Sequence, residues 1–239
     1  RIGAGLVTIA IPEFIFPAVA GSLKEATWVR LPHLNGWIIK DAIPIIRDAI
    51  SKADVILVGP GLGLDPSTGL FVEKLIKETL PVSVIDADGL KLLARIPEWY
   101  KIISSPTILT PHPGEMMVLT GLTKEEILEN RLEVAETFAK QWCKVVVLKG
   151  AFTIIAEPGG ASVCVPVATP ALARAGTGDV LAGLIAGLVA QGLDPFRAAY
   201  MGAYIHAFAG VRAEAVIGGA ASVLAGDVID MLPKVLSQE

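Results

Sequence analysis

The run Ala-Arg-Ala-Gly-Thr-Gly-Asp-Val-Leu, residues 173–181, puts a carboxylate where a glycine-rich turn passes into a long apolar segment. Two roles suit an acid at that point. As an N-cap, Asp179 would accept hydrogen bonds from the unpaired N–H groups of a first helical turn. Alternatively, Gly176, Thr177 and Gly178 would bring bare backbone close to a ligand, and the helix N-terminus would hold an anion such as phosphate. Asp179 would then sit beside that anion as a base. Its own stretch fits both.

Four other segments carry groups of the same kind. Gly59-Pro-Gly-Leu-Gly63 fits a tight turn or a close approach to phosphate, but lacks both the Gly-x-Gly-x-x-Gly dinucleotide spacing and the Lys of a Walker A loop. In Thr110-Pro-His-Pro-Gly-Glu115 two prolines bracket His112 and hold the backbone rigid on both sides. Glu115 there suits either a helix cap or a water-mediated Mg²⁺ ligand. Lys149-Gly-Ala-Phe-Thr153 offers a cation that could meet a phosphate. Asp86-Ala-Asp-Gly89 supplies one acid, Asp88, placed to cap a helix and another, Asp86, placed to enter a polar network or bind metal. Together, glycines, acids, a histidine and a lysine on one edge suggest phosphoryl transfer, with an Asp orienting or deprotonating the acceptor hydroxyl.

The elements that must position these loops are legible from hydrophobic pattern. Short β-branched runs recur at 6–10, 55–58, 82–85, 108–109 and 145–148. Most are continuous rather than alternating, as in strands covered on both faces. Helical periodicity fills 38–49, 68–78 and 124–141. Alternating strand and helix implies a parallel sheet, whose ligands bind beyond the strands' carboxyl ends. Residues 153–156 and 162–165 flank Glu-Pro-Gly-Gly and read as an edge hairpin. Beyond Asp179 the chain reads as helices, with later ones at 195–215 and 221–232. One domain over residues 1–239 is the economical organisation.

Composition narrows the function class. Apolar residues make up 53% and charged residues 18% of 239, which implies thick burial. A net charge of −4 without a basic cluster excludes a phosphate-backbone footprint, so nucleic acid is not an expected partner. No apolar run reaches the length of a membrane span, so no membrane partner is expected either. Cys143 and Cys164 match no metal spacing and read as two reduced core thiols in a cytoplasmic protein.

The segments GAGLVT, VGPGLG, DADGL, LTPHPGEM, VLKGAFT, AGTGDVLAGLIAGLVAQGLDPFRAA and GAYIHAFAG stand in the order seen in ADP- or ATP-dependent NAD(P)H-hydrate dehydratases, of the ribokinase-like superfamily. The resemblance runs from Gly3 to about Leu232. It implies a three-layer α/β/α fold with a mostly parallel central sheet. It also implies a metabolite-repair lyase, in which the nucleotide phosphorylates the hydroxyl of the hydrated nicotinamide ring and phosphate then leaves, restoring NADH or NADPH. Carried over, Asp179 would be the base, and Gly176, Thr177 and Gly178 the anion hole. Lys149, Gly150, Ala151, Phe152 and Thr153, with Gly178, would hold ADP or ATP with Mg²⁺. Gly61 and His112, with Asp179, would line the hydrated-cofactor site, while Asp86 and Glu115 are the metal candidates. The family also suggests a homotetramer and an epimerase partner, fused or separate.

The chain departs from the family at Thr169–Ala175, where an Asn-Pro-Gly opening is usual. It also begins directly ahead of GAGLVT, where an upstream strand and a glycine loop are expected. A vitamin or sugar kinase, or a non-catalytic nucleotide-binding protein, would share the Gly-Thr-Gly-Asp loop; TPHPGE and DADGL favour the dehydratase.

Overall fold

The first strands stand apart from the main sheet in a computed structural model that describes residues 1–237. β1 (Val7–Pro12) leads through a short helix, α1 (Phe16–Val19), into β2 (Ala26–Leu31), which lies parallel to β1 with Val7 opposite Ala26 and Pro12 opposite Leu31. A two-residue turn at Asn35-Gly36 then joins β3 (His33–Leu34) to β4 (Trp37–Ile38), with both turn residues at positive φ. Leu6 and Val7 are well exposed, unlike residues of a strand covered on both faces.

The chain next winds the main sheet: α2 (Ile43–Ile50), β5 (Val55–Val58), α3 (Pro66–Leu75), β6 (Val82–Ile85), α4 (Asp88–Leu93), α5 (Trp99–Ile102), β7 (Thr107–Leu109), α6 (Pro113–Thr120), α7 (Lys124–Glu129), α8 (Arg131–Trp142) and β8 (Val145–Leu148). β5 to β8 pair in parallel, and the hairpin of β9 (Ile154–Ala156) and β10 (Ser162–Cys164) adds antiparallel strands, giving the order β10-β9-β8-β7-β6-β5. Three helices close the fold: α9 (Thr177–Ala190), α10 (Pro195–Ile217) and α11 (Ala225–Leu236).

Side-chain alternation along the strands builds two cores. Ile85, Leu109, Val146 and Leu148 face α2 to α8, whereas Val84, Ile108, Val147 and Ile155 face α9 to α11. The sheet is therefore the middle of three layers, and the central strands carry apolar residues on both faces because both are covered. β5 is only partly buried because it forms the sheet's edge.

Several expectations need correction. Residues 124–141 are not one helix: the chain breaks at Asn130 (φ −127°, ψ 38°), between α7 and α8. β2 follows a loop and lacks a clean run of β-branched residues, so the hydrophobic pattern does not mark it as a strand. Cys143 and Cys164 are free but exposed, not core thiols. Cys143 takes the left-handed conformation that ends α8 (φ 54°), and Cys164 lies on the outermost strand of the sheet. Asp88 does not cap α4; its carboxylate accepts from Gly63 N–H at 3.0 Å and pairs with Lys91 at 3.0 Å. The last helix starts at Ala225 rather than 221.

Candidate active site

Three strand-end loops meet around one lysine. Lys149 follows β8, its backbone N–H donates to Pro111 O (2.8 Å), and its Nζ lies 2.6 Å from Asp86 Oδ1. Glu115 Oε2 is 3.6 Å from the same nitrogen. Both carboxylates are almost completely buried, with Asp86 1% and Glu115 3% exposed. Buried charges of this kind require a partner, and here one cation serves two anions. Asp86 is thus a polar-network residue.

The rigid Thr110–Glu115 loop turns out to be a capping box. His112 is the N-cap of α6: its Nδ1 accepts from Glu115 N–H (3.1 Å), while Glu115 Oε2 accepts from His112 N–H (2.9 Å). Accepting at Nδ1 leaves Nε2 as the protonated nitrogen of a neutral ring, 3.4 Å from Glu115 Oε1, and the imidazole is half exposed on the ligand edge.

The Gly59–Gly63 turn is packed against this group from the β5 side. Any side chain on Gly59 would collide with the Asp86 carbonyl oxygen, so glycine is obligatory there, and its φ of +136° agrees. Gly61 has open space around its α-carbon. No hydrogen bond among the described residues joins it to Lys149 or Asp179.

The N-terminus of α9 closes the arrangement. Gly176, with φ +84°, is its N-cap, so the capping expectation for Asp179 fails: the acid sits inside the first turn. The N–H groups of Gly178 and Asp179 have no acceptor among the described residues. Thr177 is buried, its hydroxyl lying 2.7 Å from Leu172 O and 2.8 Å from Arg174 O, so it braces the turn rather than facing ligand. A methyl group on Gly178 would lie 3.5 Å from Lys149 Nζ and 3.9 Å from Asp86 Oδ2. The lysine cation therefore lies beside Gly178, at the start of the helix whose first N–H groups are free, a pairing suited to a phosphoryl group.

The Asp179 pKa is raised from the usual Asp value. Loss of hydration around the carboxyl is the main cause; the Asp86 charge adds to it, and Lys149 opposes it. A raised pKa moves a carboxylate toward the range of a general base.

Asp86 and Glu115 are both engaged by Lys149, and among the described residues no group of three His, Cys, Asp or Glu could hold a metal ion. The donor set does not form a protein cage for magnesium, so the ion fits here only as the counter-ion that a nucleotide's phosphates bring with them.

Two residues near the site escaped sequence reasoning. Arg131, from the first turn of α8, donates through Nη1 to Ala151 O and through Nη2 to Leu148 O (3.0 Å), under the Lys149–Thr153 loop. In sequence it reads as a surface cation of an amphipathic helix. His206 of α10 is buried against the Thr177 backbone, with its pKa lowered to about 4 by burial and no hydrogen-bond partner for Nε2. A lone histidine in an apolar run gave no signal beyond its place in GAYIHAFAG.

Comparison with known proteins identifies the family. A bifunctional NAD(P)H-hydrate repair enzyme of Moorella thermoacetica is 42% identical over 237 residues, covering 99% of this chain and 44% of that protein. An ADP-dependent (S)-NAD(P)H-hydrate dehydratase of Xanthomonas campestris is 33% identical, covering 100% of this chain and 80% of its own length. The crystal structure of the ADP/ATP-dependent NAD(P)H-hydrate dehydratase from Bacillus subtilis, co-crystallized with ATP/Mg²⁺ and soaked with CoA, superposes with a TM-score of 0.79 at 32% identity, over 100% of this chain and 83% of that one. The fold is ribokinase-like, with its mixed but mostly parallel six-strand sheet between helical layers. The family model for NAD(P)H-hydrate dehydratase matches residues 1–234, and the chain belongs to that family.

Proposed function

We propose that the chain is the catalytic unit of a nucleotide-dependent NAD(P)H-hydrate dehydratase. The observation that carries this reading is the position of Lys149 Nζ, paired with Asp86 and lying beside Gly178 at the start of α9, where the N–H groups of Gly178 and Asp179 are unpaired. In this reading the terminal phosphoryl group of ADP or ATP rests on the Gly176–Gly178 turn that Thr177 braces, where the free N–H groups of Gly178 and Asp179 and the Lys149 ammonium offset its charge. Asp179 takes the proton of the ring hydroxyl as that oxygen attacks phosphorus and the nucleotide leaves shortened by one phosphate. The C–O bond then breaks, phosphate departs, a proton leaves the adjoining ring carbon, and the double bond of NADH or NADPH is restored. Phosphoryl transfer uses this chain's own residues, with magnesium arriving as part of the nucleotide substrate; the nitrogen lone pair of the ring expels phosphate, and solvent water takes the carbon-bound proton.

The Lys149–Thr153 loop holds the nucleotide, and Gly61 and His112 line the hydrated cofactor. The chain acts as one domain over 1–239. It spans 44% of the length of the Moorella thermoacetica relative, and an epimerase, fused or separate, is the partner that fits this reading. Among the described residues no helix is long and apolar enough to cross a membrane. Two unpaired thiols suit the reducing cytoplasm we assign. The exposed apolar stripe on α10 supports self-association, with a tetramer as the proposed form.

The test incubates the protein with hydrated NADH or NADPH and either nucleotide, following recovery of the dihydronicotinamide absorbance. Asp179→Asn is expected to bind nucleotide almost unchanged and to lose turnover by about 10²–10⁴-fold, the range for a general base. Phosphorylation without recovery of absorbance would make the protein a kinase instead, and unchanged turnover in the variant would remove Asp179 from the mechanism.

A further inference from the structure

The loop that follows β8 has an unusual distribution of hydrogen bonds. Its carbonyls are taken from inside: Leu148 O by Arg131 Nη2 (3.0 Å), Ala151 O by Arg131 Nη1, Gly150 O by Thr153 Oγ1 (2.9 Å), and Thr153 O by Val165 N–H (2.9 Å). Its N–H groups are divided. Lys149 donates to Pro111 O (2.8 Å) and Phe152 to Val167 O (3.0 Å), whereas Gly150, Ala151 and Thr153 find no acceptor among the described residues. Gly150 (φ +146°) and Phe152 (φ +54°) hold the backbone in left-handed conformations between ordinary ones. Successive N–H groups freed by such a backbone form a concavity for anions.

We propose that Arg131 is the positioning residue that creates this concavity for the nucleotide. Its guanidinium spans the loop from below and clamps the 148–149 and 151–152 peptide units, whose own N–H groups are spent on Pro111 O and Val167 O, so the units between them, which carry the free Gly150 and Ala151 N–H groups, are held between two fixed points. A planar five-donor fork suits that task, and a lysine ammonium cannot bridge both oxygens in the same way. Gly150 makes room for it, since a methyl group there would lie 3.1 Å from Arg131 Nη2. Arg131 has no acid partner among the described ion pairs, so its charge serves the backbone rather than a carboxylate. The inference rests on the nucleotide reading of this loop given above.

The experiment compares wild type with Arg131→Met and Arg131→Lys by three readouts: ADP affinity by calorimetry, steady-state kinetics with hydrated NADH, and amide hydrogen exchange along the chain. Loss of two charge-assisted bonds is expected to weaken ADP binding, and raise its KM, on the order of ten- to a hundredfold in Arg131→Met. Turnover at saturating nucleotide and the KM for the hydrated cofactor stay near wild type, the mark of lost ground-state binding. Exchange quickens at Gly150–Thr153 and not in β5 to β7. Arg131→Lys falls between the two, and it carries the test if the Met variant does not fold. Unchanged ADP affinity, or quicker exchange spread over the whole sheet with every kinetic parameter reduced together, overturns the proposal. A wild-type protein that neither binds ADP nor restores absorbance would instead sink the dehydratase reading, and the exchange data would still report whether Arg131 shapes the loop.

Discussion

Asp179 has two neighbours that pull its proton affinity in opposite directions. Asp86 raises its pKa and Lys149 lowers it, on top of a rise caused by burial. A base must be ionised to act, so kcat/KM falls as pH drops through that raised pKa. Replacing Asp86 by Asn removes a negative charge and leaves Lys149 in place near Glu115. The Asp179 pKa then falls, and the acid limb of the pH–rate profile moves to lower pH even as the maximum rate declines. An acid limb that stays put, or moves up, would show that another group controls it.

At the scale of elements, α9 and α10 are joined by a buried titratable group. His206 has an ordinary pKa of 6.5 when unfolded and about 4 when folded. Between those values the unfolded chain binds a proton that the folded chain does not, so stability is full above about pH 6.5 and declines as pH falls toward 4. The contribution is about 3 kcal/mol over that window. Urea titrations across it are expected to show a flatter pH dependence for His206→Gln; equal slopes in both proteins would contradict it.

The same scale shows what could be read from sequence. The central strands were legible because the continuous runs at 82–85 and 145–148 reflect burial on two faces, and the four loops because strand ends concentrate Gly, Pro and Asp. The break at Asn130 was not, since the apolar periodicity continues across it and the capping box of Thr123 and Glu126 accounts for the start of α7 alone. The site's chemistry was named residue by residue, but its wiring was hidden: that Lys149 would join Asp86 to Glu115 depends on loops from three strands meeting in space. Arg131 and His206 act through backbone groups, which leave no pattern in side-chain identity.

For the whole molecule, the exposed face of α10 is an apolar surface that its own fold leaves uncovered among the described residues. Met201, Tyr204, Phe208 and Val211 recur at helical spacing and remain exposed, with the Tyr204 and Phe208 rings 4.4 Å apart between centroids. A contiguous stripe of that kind marks an interaction surface. Light scattering is expected to show an oligomer for wild type and a smaller species for the Tyr204→Glu, Phe208→Glu double variant, with secondary structure retained. A wild-type monomer, or an unaltered mass in the variant, would rule out α10 as the contact. Lys149 has a wider consequence at this scale. Because its backbone and side chain tie together the ends of β6, β7 and β8, the ordering entropy of three loops is lost when the chain folds, not when ligand arrives. The sheet side of the site is a preformed anvil, on which a nucleotide can be set without first ordering the loops that meet it.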